Sequence, residues 1–155
     1  MKTLLLLSLT LASTAALASR APLLSYHSHT GGFTPPAERK YVECLVFSDK
    51  VVKSVNLGGA ESSITLPVAF TSSVKDAEAI IRLSNSAKKG KIKRGPTPMD
   101  APMETFSIVE LQPDDTTKEV VLRYGITGMR NAVILNTSKA ADKLIKFLNV
   151  NCSDQ

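Results

Sequence analysis

One segment of the chain has residue types that favour a binding role. Five of the seven residues from Lys88 to Arg94 are basic, and three prolines follow before residue 103. Prolines hold the backbone near an extended geometry, so a loop that contains them loses less entropy when it binds a partner. Methionines add adaptable apolar contacts. The pattern predicts a partner-binding loop over residues 88–103. The candidate contact residues are Lys88, Lys89, Lys91, Lys93, Arg94, Met99 and Met103.

The same segment has other interpretations. A dense run of cations can bind an anionic glycan or an anionic lipid surface through counterion release. No aromatic residue lies between Lys88 and Met103 to stack on a base, and a formal net charge of +5 is low for a dedicated nucleic-acid-binding protein. Nucleic acid is therefore not expected as a partner. Arg94-Gly95-Pro96 presents a basic side chain on a stiffened backbone, as the loop of a protease inhibitor does. The simplest alternative is a solvated connection.

The chain lacks the common catalytic signatures. It contains no nucleophile elbow, no zinc-protease motif, no CxxC pair and no phosphate-binding loop. Carboxylate pairs are available at Asp114-Asp115 and at Glu104 with Glu110, but a chain with 14 acidic residues forms such pairs by chance. No catalytic, cofactor-binding or metal-binding residue is predicted. The sequence favours a small non-enzymatic binding protein, either an inhibitor or an interaction module. A small secreted hydrolase that uses carboxylates is the alternative.

The first residues of the chain predict export. Lys2, the apolar run Leu4–Ala12 and the small residues Ala16–Ala18 follow the pattern of a secretory signal peptide, residues 1–18, cleaved after about Ala18. The apolar run is too short for a membrane span, which needs about 20 residues. No later run approaches that length, so no transmembrane segment is expected after cleavage. We therefore expect a secreted or periplasmic protein whose partner is an extracytoplasmic protein.

Residues 19–39 are predicted to form a flexible N-terminal segment. They are mostly polar, and Gly31-Gly32 and Pro35-Pro36 interrupt any regular pattern. His27 and His29 lie in this segment, outside the predicted core. Two histidines without a fixed carboxylate or thiol do not complete a metal site, so we interpret them as solvated.

The two cysteines predict a disulfide. Cys44 and Cys152 form an even pair in a chain expected to reach an oxidising compartment. A bond between them would close a loop of about 108 residues, for which the chain-entropy model gives about 4–5 kcal/mol. The alternative is a free catalytic thiol, which needs a nearby base, and only His27 and His29 are available.

The candidate residues and the two cysteines would be positioned by a set of strands and two helices. A helical stripe favours a helix near residues 73–90, although residues 74–87 also alternate as a strand would. A second helix, over residues 137–152, has an apolar stripe of helical period. The predicted extended pieces are residues 40–48, 51–57, 63–70, 104–111, 118–127 and 131–136. Residues 40–155 should form a single α+β domain. It would contain a mostly antiparallel sheet of about five strands with two helices, one of them C-terminal, closed by one disulfide.

Overall fold

A computed structural model describes residues 21–31, 33–57, 64–68, 77–129 and 132–153. The predicted signal peptide lies outside these residues. The described residues form eight strands, two helices and one turn of 3-10 helix, Pro36–Glu38. The helices are α1, Ala77–Ala87, and α2, Lys139–Cys152. The strands are β1, Leu24–His29; β2, Lys40–Val46; β3, Val51–Leu57; β4, Ile64–Val68; β5, Ile92–Arg94; β6, Met103–Leu111; β7, Thr117–Ile126; and β8, Ala132–Asn136.

All eight strands belong to one antiparallel sheet in the order β4-β3-β2-β1-β6-β7-β8-β5. The α+β class, the antiparallel pairing and the two helices are as predicted, but the estimate of about five strands was too low. Seven strands have five residues or more, and β5 adds a three-residue edge. The sequence analysis did not predict β1 or β5.

The first strand corrects the expectation of a flexible segment at residues 19–39. β1 lies at the centre of the sheet, between β2 and β6. Its side chains alternate between the two faces, and Leu24 and Tyr26 point into the core. His27 and His29 are therefore strand residues and not part of a solvated arm.

The hydrophobic core lies between one face of the sheet and the two helices. We call this face the helix-covered face. The other face carries Ser25, His27, Tyr41, Glu43 and Glu119, and we call it the polar face. The core residues are Leu24, Tyr26, Val42, Cys44, Val46, Val51, Phe106, Ile108 and Leu122 of the sheet, with Ile80, Ala87, Ala140, Ala141, Leu144, Ile145, Leu148 and Cys152 of the helices. Every apolar position predicted for the α2 stripe is buried.

The predicted disulfide is present. Cys44 of β2 and Cys152 at the end of α2 are bonded at an S–S distance of 2.09 Å, and both are fully buried. The bond fixes the C-terminal helix onto the centre of the sheet. Neither α1 nor α2 has the length and hydropathy of a membrane-spanning helix, and the described residues contain no other α-helix.

Asn136, the last residue of β8, joins the ends of both helices. Its side-chain amide donates to the Ala87 carbonyl at 2.7 Å, which satisfies a carbonyl at the end of α1. Its Oδ1 accepts from the Ser138 amide at 3.0 Å, and Ser138 caps α2 by accepting from the Ala141 amide. A Cβ at Gly90 would overlap the Asn136 side chain, so this position requires glycine. The C-terminal boundary of α1 and the start of β5 are therefore set by a contact with a distant strand.

Candidate functional site

The structure divides the predicted partner-binding loop into three parts. We call residues 88–94 the basic segment. Lys88 and Lys89 lie in the turn that follows α1, and Ile92–Arg94 form β5. The prolines follow in an irregular segment that ends at the start of β6. Three residues of the predicted loop, Ile92–Arg94, therefore form an edge strand of the sheet.

The basic segment is exposed, and most of its charges have no ion-pair partner among the described residues. Lys88 is the exception, because its Nζ lies 2.7 Å from Glu110 Oε1. The hydrogen bond from Lys88 keeps the pKa of Glu110 below its usual range. The other four cations form no ion pair with any described residue, and all of them are exposed. These four, which we call the unpaired cations, are Lys89, Lys91, Lys93 and Arg94.

The backbone of β5 has one bonded side and one outward side. β5 pairs only with β8 among the described strands. The Thr137 amide donates to the Lys91 carbonyl at 2.9 Å, and the Gly95 amide donates to the Val133 carbonyl at 2.8 Å. In an antiparallel ladder the bonded residues alternate, so positions 91, 93 and 95 face β8. The N–H and C=O groups of Ile92 and Arg94 therefore face away from the sheet.

The two candidate methionines lie in different environments. Met99 is 93% exposed in the proline-containing segment. Met103 is 5% exposed and is the first residue of β6, so its side chain is not available to a partner and we do not retain it as a contact. The end of this segment is held in place by the Thr127 amide, which donates to the Pro102 carbonyl at 2.9 Å.

A cleft on the helix-covered face forms a second candidate site. It has a volume of about 620 Å³ and lies between α2 and the sheet. Glu104 of β6 and Arg123 of β7 line it as an ion pair, with Nη1 2.6 Å from Oε1. Their side chains are only 5% and 12% exposed, respectively. Arg123 also donates from Nη2 to the Met129 carbonyl and lies over the Phe106 ring.

The buried carboxyl group of Glu104 in this cleft has a shifted pKa. Burial raises the pKa of Glu104, and the charge and hydrogen bond of Arg123 offset this effect only in part. A carboxyl group that retains its proton more readily can act as a general acid, and such groups are common in active sites. Asp142 of α2 lines the same cleft and supplies a second carboxylate.

The structure does not bring together the carboxylates that the sequence suggested as pairs. Glu104 bonds to Arg123, whereas Glu110 bonds to Lys88. Asp114 lies in the turn between β6 and β7, where its carboxylate accepts from the Thr116 hydroxyl and amide. Those hydrogen bonds, the hydroxyl first, lower the pKa of Asp114. Its role there is to shape the turn.

A third polar cluster lies on the polar face, and the sequence analysis did not predict it. Glu119 Oε1 accepts from the Ser25 hydroxyl at 2.8 Å and from His27 Nε2 at 3.1 Å. His27 Nδ1 lies 2.9 Å from the Tyr41 hydroxyl. Since Nε2 donates to the carboxylate, Nδ1 is the acceptor, and Tyr41 donates to it. The pairing of β1 with β2 and of β6 with β7 brings these distant residues together.

The chemistry of this cluster favours a structural role. Burial alone would raise the pKa of Glu119, but hydrogen bonds from Ser25 and His27 outweigh it and place the pKa below the usual range. The pKa of Tyr41 is raised by burial and by the nearby carboxylates of Glu43 and Glu119. A phenol that retains its proton is a poor nucleophile. Within the described residues, no group of three or more His, Cys, Asp or Glu side chains is arranged to hold a metal ion.

Comparison with family models, with curated proteins and with solved structures found no match to this chain.

Proposed function

We propose that the protein is a secreted or periplasmic, non-enzymatic binding protein that contacts its partner through the basic segment, as an inhibitor or an interaction module. The observation that supports this proposal most directly is the group of four unpaired cations on and beside an exposed edge strand. Clustered unpaired charges attract a surface of opposite sign and accelerate association. The buried disulfide supports an oxidising compartment.

Retention of a partner by matched variants tests the proposal. In the first variant, the unpaired cations at 89, 91, 93 and 94 are replaced by Ser, and the Lys88–Glu110 pair is left intact. In the control, four other exposed lysines, Lys50, Lys118, Lys139 and Lys143, are replaced by Ser. Both variants lose the same net charge. Each oxidised protein is immobilised and exposed to extracts of the producing cell and its surroundings.

We expect a protein that is retained by the wild type and by the control but lost from the first variant. Melting temperatures should stay close to that of the wild type, because exposed unpaired cations contribute little to stability. Equal retention by both variants, or no retention by the wild type, would show that the basic segment is only a solvated connection.

The cleft supports a second candidate function, a hydrolase that uses carboxylates. The observation that favours it is the raised pKa of Glu104 in a cleft that Asp142 also lines. A screen against peptide, glycan and ester substrates tests it. Turnover that disappears in Asp142→Asn would establish this function, since Asp142 is exposed and its replacement leaves the core intact. Turnover that is unchanged in both Asp142→Asn and Glu104→Gln would exclude it.

A further inference from the structure

We propose that β5 binds its partner by strand addition, and that the partner contributes an extended acidic segment. This inference rests on the proposed function and specifies how the basic segment would be used. An added strand requires a row of backbone donors and acceptors at the edge of a sheet. The outward N–H and C=O groups of Ile92 and Arg94 provide such a row, and no residue in the described part of the chain bonds to them.

The side chains of β5 suit an acidic partner. Lys91, Lys93 and Arg94 are exposed and have no acidic partner among the described residues, so they are available to carboxylates of an added strand. Cross-strand pairs of opposite charge stabilise a ladder, whereas like charges directly opposite one another destabilise it. Ile92 is 45% exposed and offers one apolar contact on the face of the strand that it shares with Arg94.

The same charges disfavour a second copy of this chain as the source of the added strand. Pairing of β5 with β5 of another copy would place lysine and arginine side chains opposite one another. Lysines on edge strands are a common protection against self-association, and Lys91 and Lys93 would act in the same way. They do not obstruct a partner of opposite charge.

The backbone favours a peptide over an anionic glycan or a lipid surface. Ile92 and Arg94 each present a donor and an acceptor outwards, and an extended peptide matches both. A sulfate or phosphate group has no donor for the outward carbonyls, and the hydroxyls of a glycan do not repeat with the donor and acceptor spacing of a β-ladder. Pro96 lacks an N–H group, so the ladder ends there, and the added strand would lie along residues 91–95.

A backbone-directed variant distinguishes strand addition from simple charge attraction. Ile92→Pro removes an N–H that faces outwards and leaves the bonds of positions 91, 93 and 95 to β8 intact. Ile92→Ala is the matched control, because it removes the side chain and retains the N–H. The probes are a short blocked peptide in which glutamate and valine alternate, the same peptide N-methylated at alternate amides, and a heparin fragment.

We expect the parent peptide to bind the wild type and Ile92→Ala with similar affinity and to bind Ile92→Pro about tenfold more weakly. The N-methylated peptide should bind the wild type about tenfold more weakly than the parent peptide does. This second comparison uses only the wild-type protein, so it holds even if Ile92→Pro does not fold.

Three outcomes would overturn the inference: no binding of the parent peptide, equal binding of the N-methylated and parent peptides, or tighter binding of the heparin fragment than of the parent peptide. The proposed function is tested separately, by measuring whether the two variants that each remove four cations retain the partner. Partner loss in the first of those variants, with no effect of N-methylation, would support binding through the basic segment and reject strand addition.

Discussion

Glu104 and Glu119 lie on neighbouring strands of one sheet, and their pKa values are shifted in opposite directions. Glu104 faces α2 from β6 and is almost fully buried, and its pKa is raised because burial outweighs the attraction of Arg123. Glu119 lies on β7, and its side chain is 40% exposed. Its pKa is lowered because the hydrogen bonds of Ser25 and His27 outweigh a smaller burial cost.

The difference shows that a close partner does not by itself determine the state of a carboxylate. Glu104 has the stronger partner, a guanidinium at 2.6 Å, and yet is the easier of the two to protonate. Glu119 has only a hydroxyl and an imidazole, but it retains contact with water. A buried charge is no longer stabilised by water, and one ion pair replaces only part of that stabilisation. The carboxyl group in the cleft is therefore the easier of the two to protonate, and the one on the polar face more readily stays ionised.

The largest expected effect comes from breaking the buried pair. Arg123→Met should lower the free energy of unfolding by about 3–5 kcal/mol, because it leaves the Glu104 carboxylate buried without its partner. Urea denaturation measures this loss. The double variant Glu104→Leu with Arg123→Met should recover most of it, since no charge then remains buried. A single variant as stable as the wild type would show that the pair is not desolvated.

The pH dependence of stability should differ in sign between the two carboxylates. Glu104 has a raised pKa, so its contribution is fully present below the unfolded pKa and is lost as pH rises through the folded pKa. Glu119 has a lowered pKa, so its contribution is present above the unfolded pKa and is lost as pH falls through the folded pKa. Each contribution changes by at most about 1.4 kcal/mol per pH unit.

Difference profiles measure these contributions. Stability is recorded against pH for the wild type, Glu104→Gln and Glu119→Gln, and each variant is subtracted from the wild type. The Glu104 difference should fall with rising pH above the ordinary carboxyl range. The Glu119 difference should rise with pH below that range. Two differences of the same sign would contradict the comparison.

A smaller effect is expected at neutral pH on the polar face. Glu119→Gln should lower the free energy of unfolding by about 1 kcal/mol, since hydrogen bonds to a partly exposed carboxylate are screened by water. Glu43→Gln is the matched control. Glu43 is equally exposed and also lies near His27, but its Oε1 is 3.9 Å from Nδ1, too far for a hydrogen bond. Equal losses in the two variants would show that the short contacts of Glu119 add nothing.

The elements with a clear local pattern were predicted correctly. The alternation in β2, β6 and β7 and the helical stripe of α2 are properties of short stretches of sequence. The disulfide followed from the number of cysteines and the expected compartment. The choice of helix over strand for α1 was also correct, and residues 69–76, directly before Ala77, lie outside the described part of the chain.

The missed elements depend on distant residues. β1 has only two clearly apolar residues, Leu24 and Tyr26, and its polar residues matched the composition of a flexible segment. Only the neighbouring strands show that they belong to a sheet. β5 exists because β8 pairs with it and because Asn136 fixes the turn at Gly90.

The candidate sites were predicted only in part. The basic segment was visible as composition, but its outward backbone follows from a register that no local pattern encodes. The Glu104–Arg123 pair and the contact of His27 with Glu119 both depend on which strands are neighbours. The alternation of Ser25, His27 and His29 in β1 and of Tyr41 and Glu43 in β2 was the available signal for the polar face.

The disulfide determines the consequence of a proteolytic cut in the basic segment. Residues 45–151 form a covalent ring closed by Cys44 and Cys152, and β5 lies within it. A protease that cut after Arg94 would open the ring without releasing a fragment. The resulting two-chain protein would remain joined by the disulfide and by strand pairs across the cut, β1 with β6 and β5 with β8. A nick beside β5 would thus leave one molecule, and only reduction and unfolding would separate its halves.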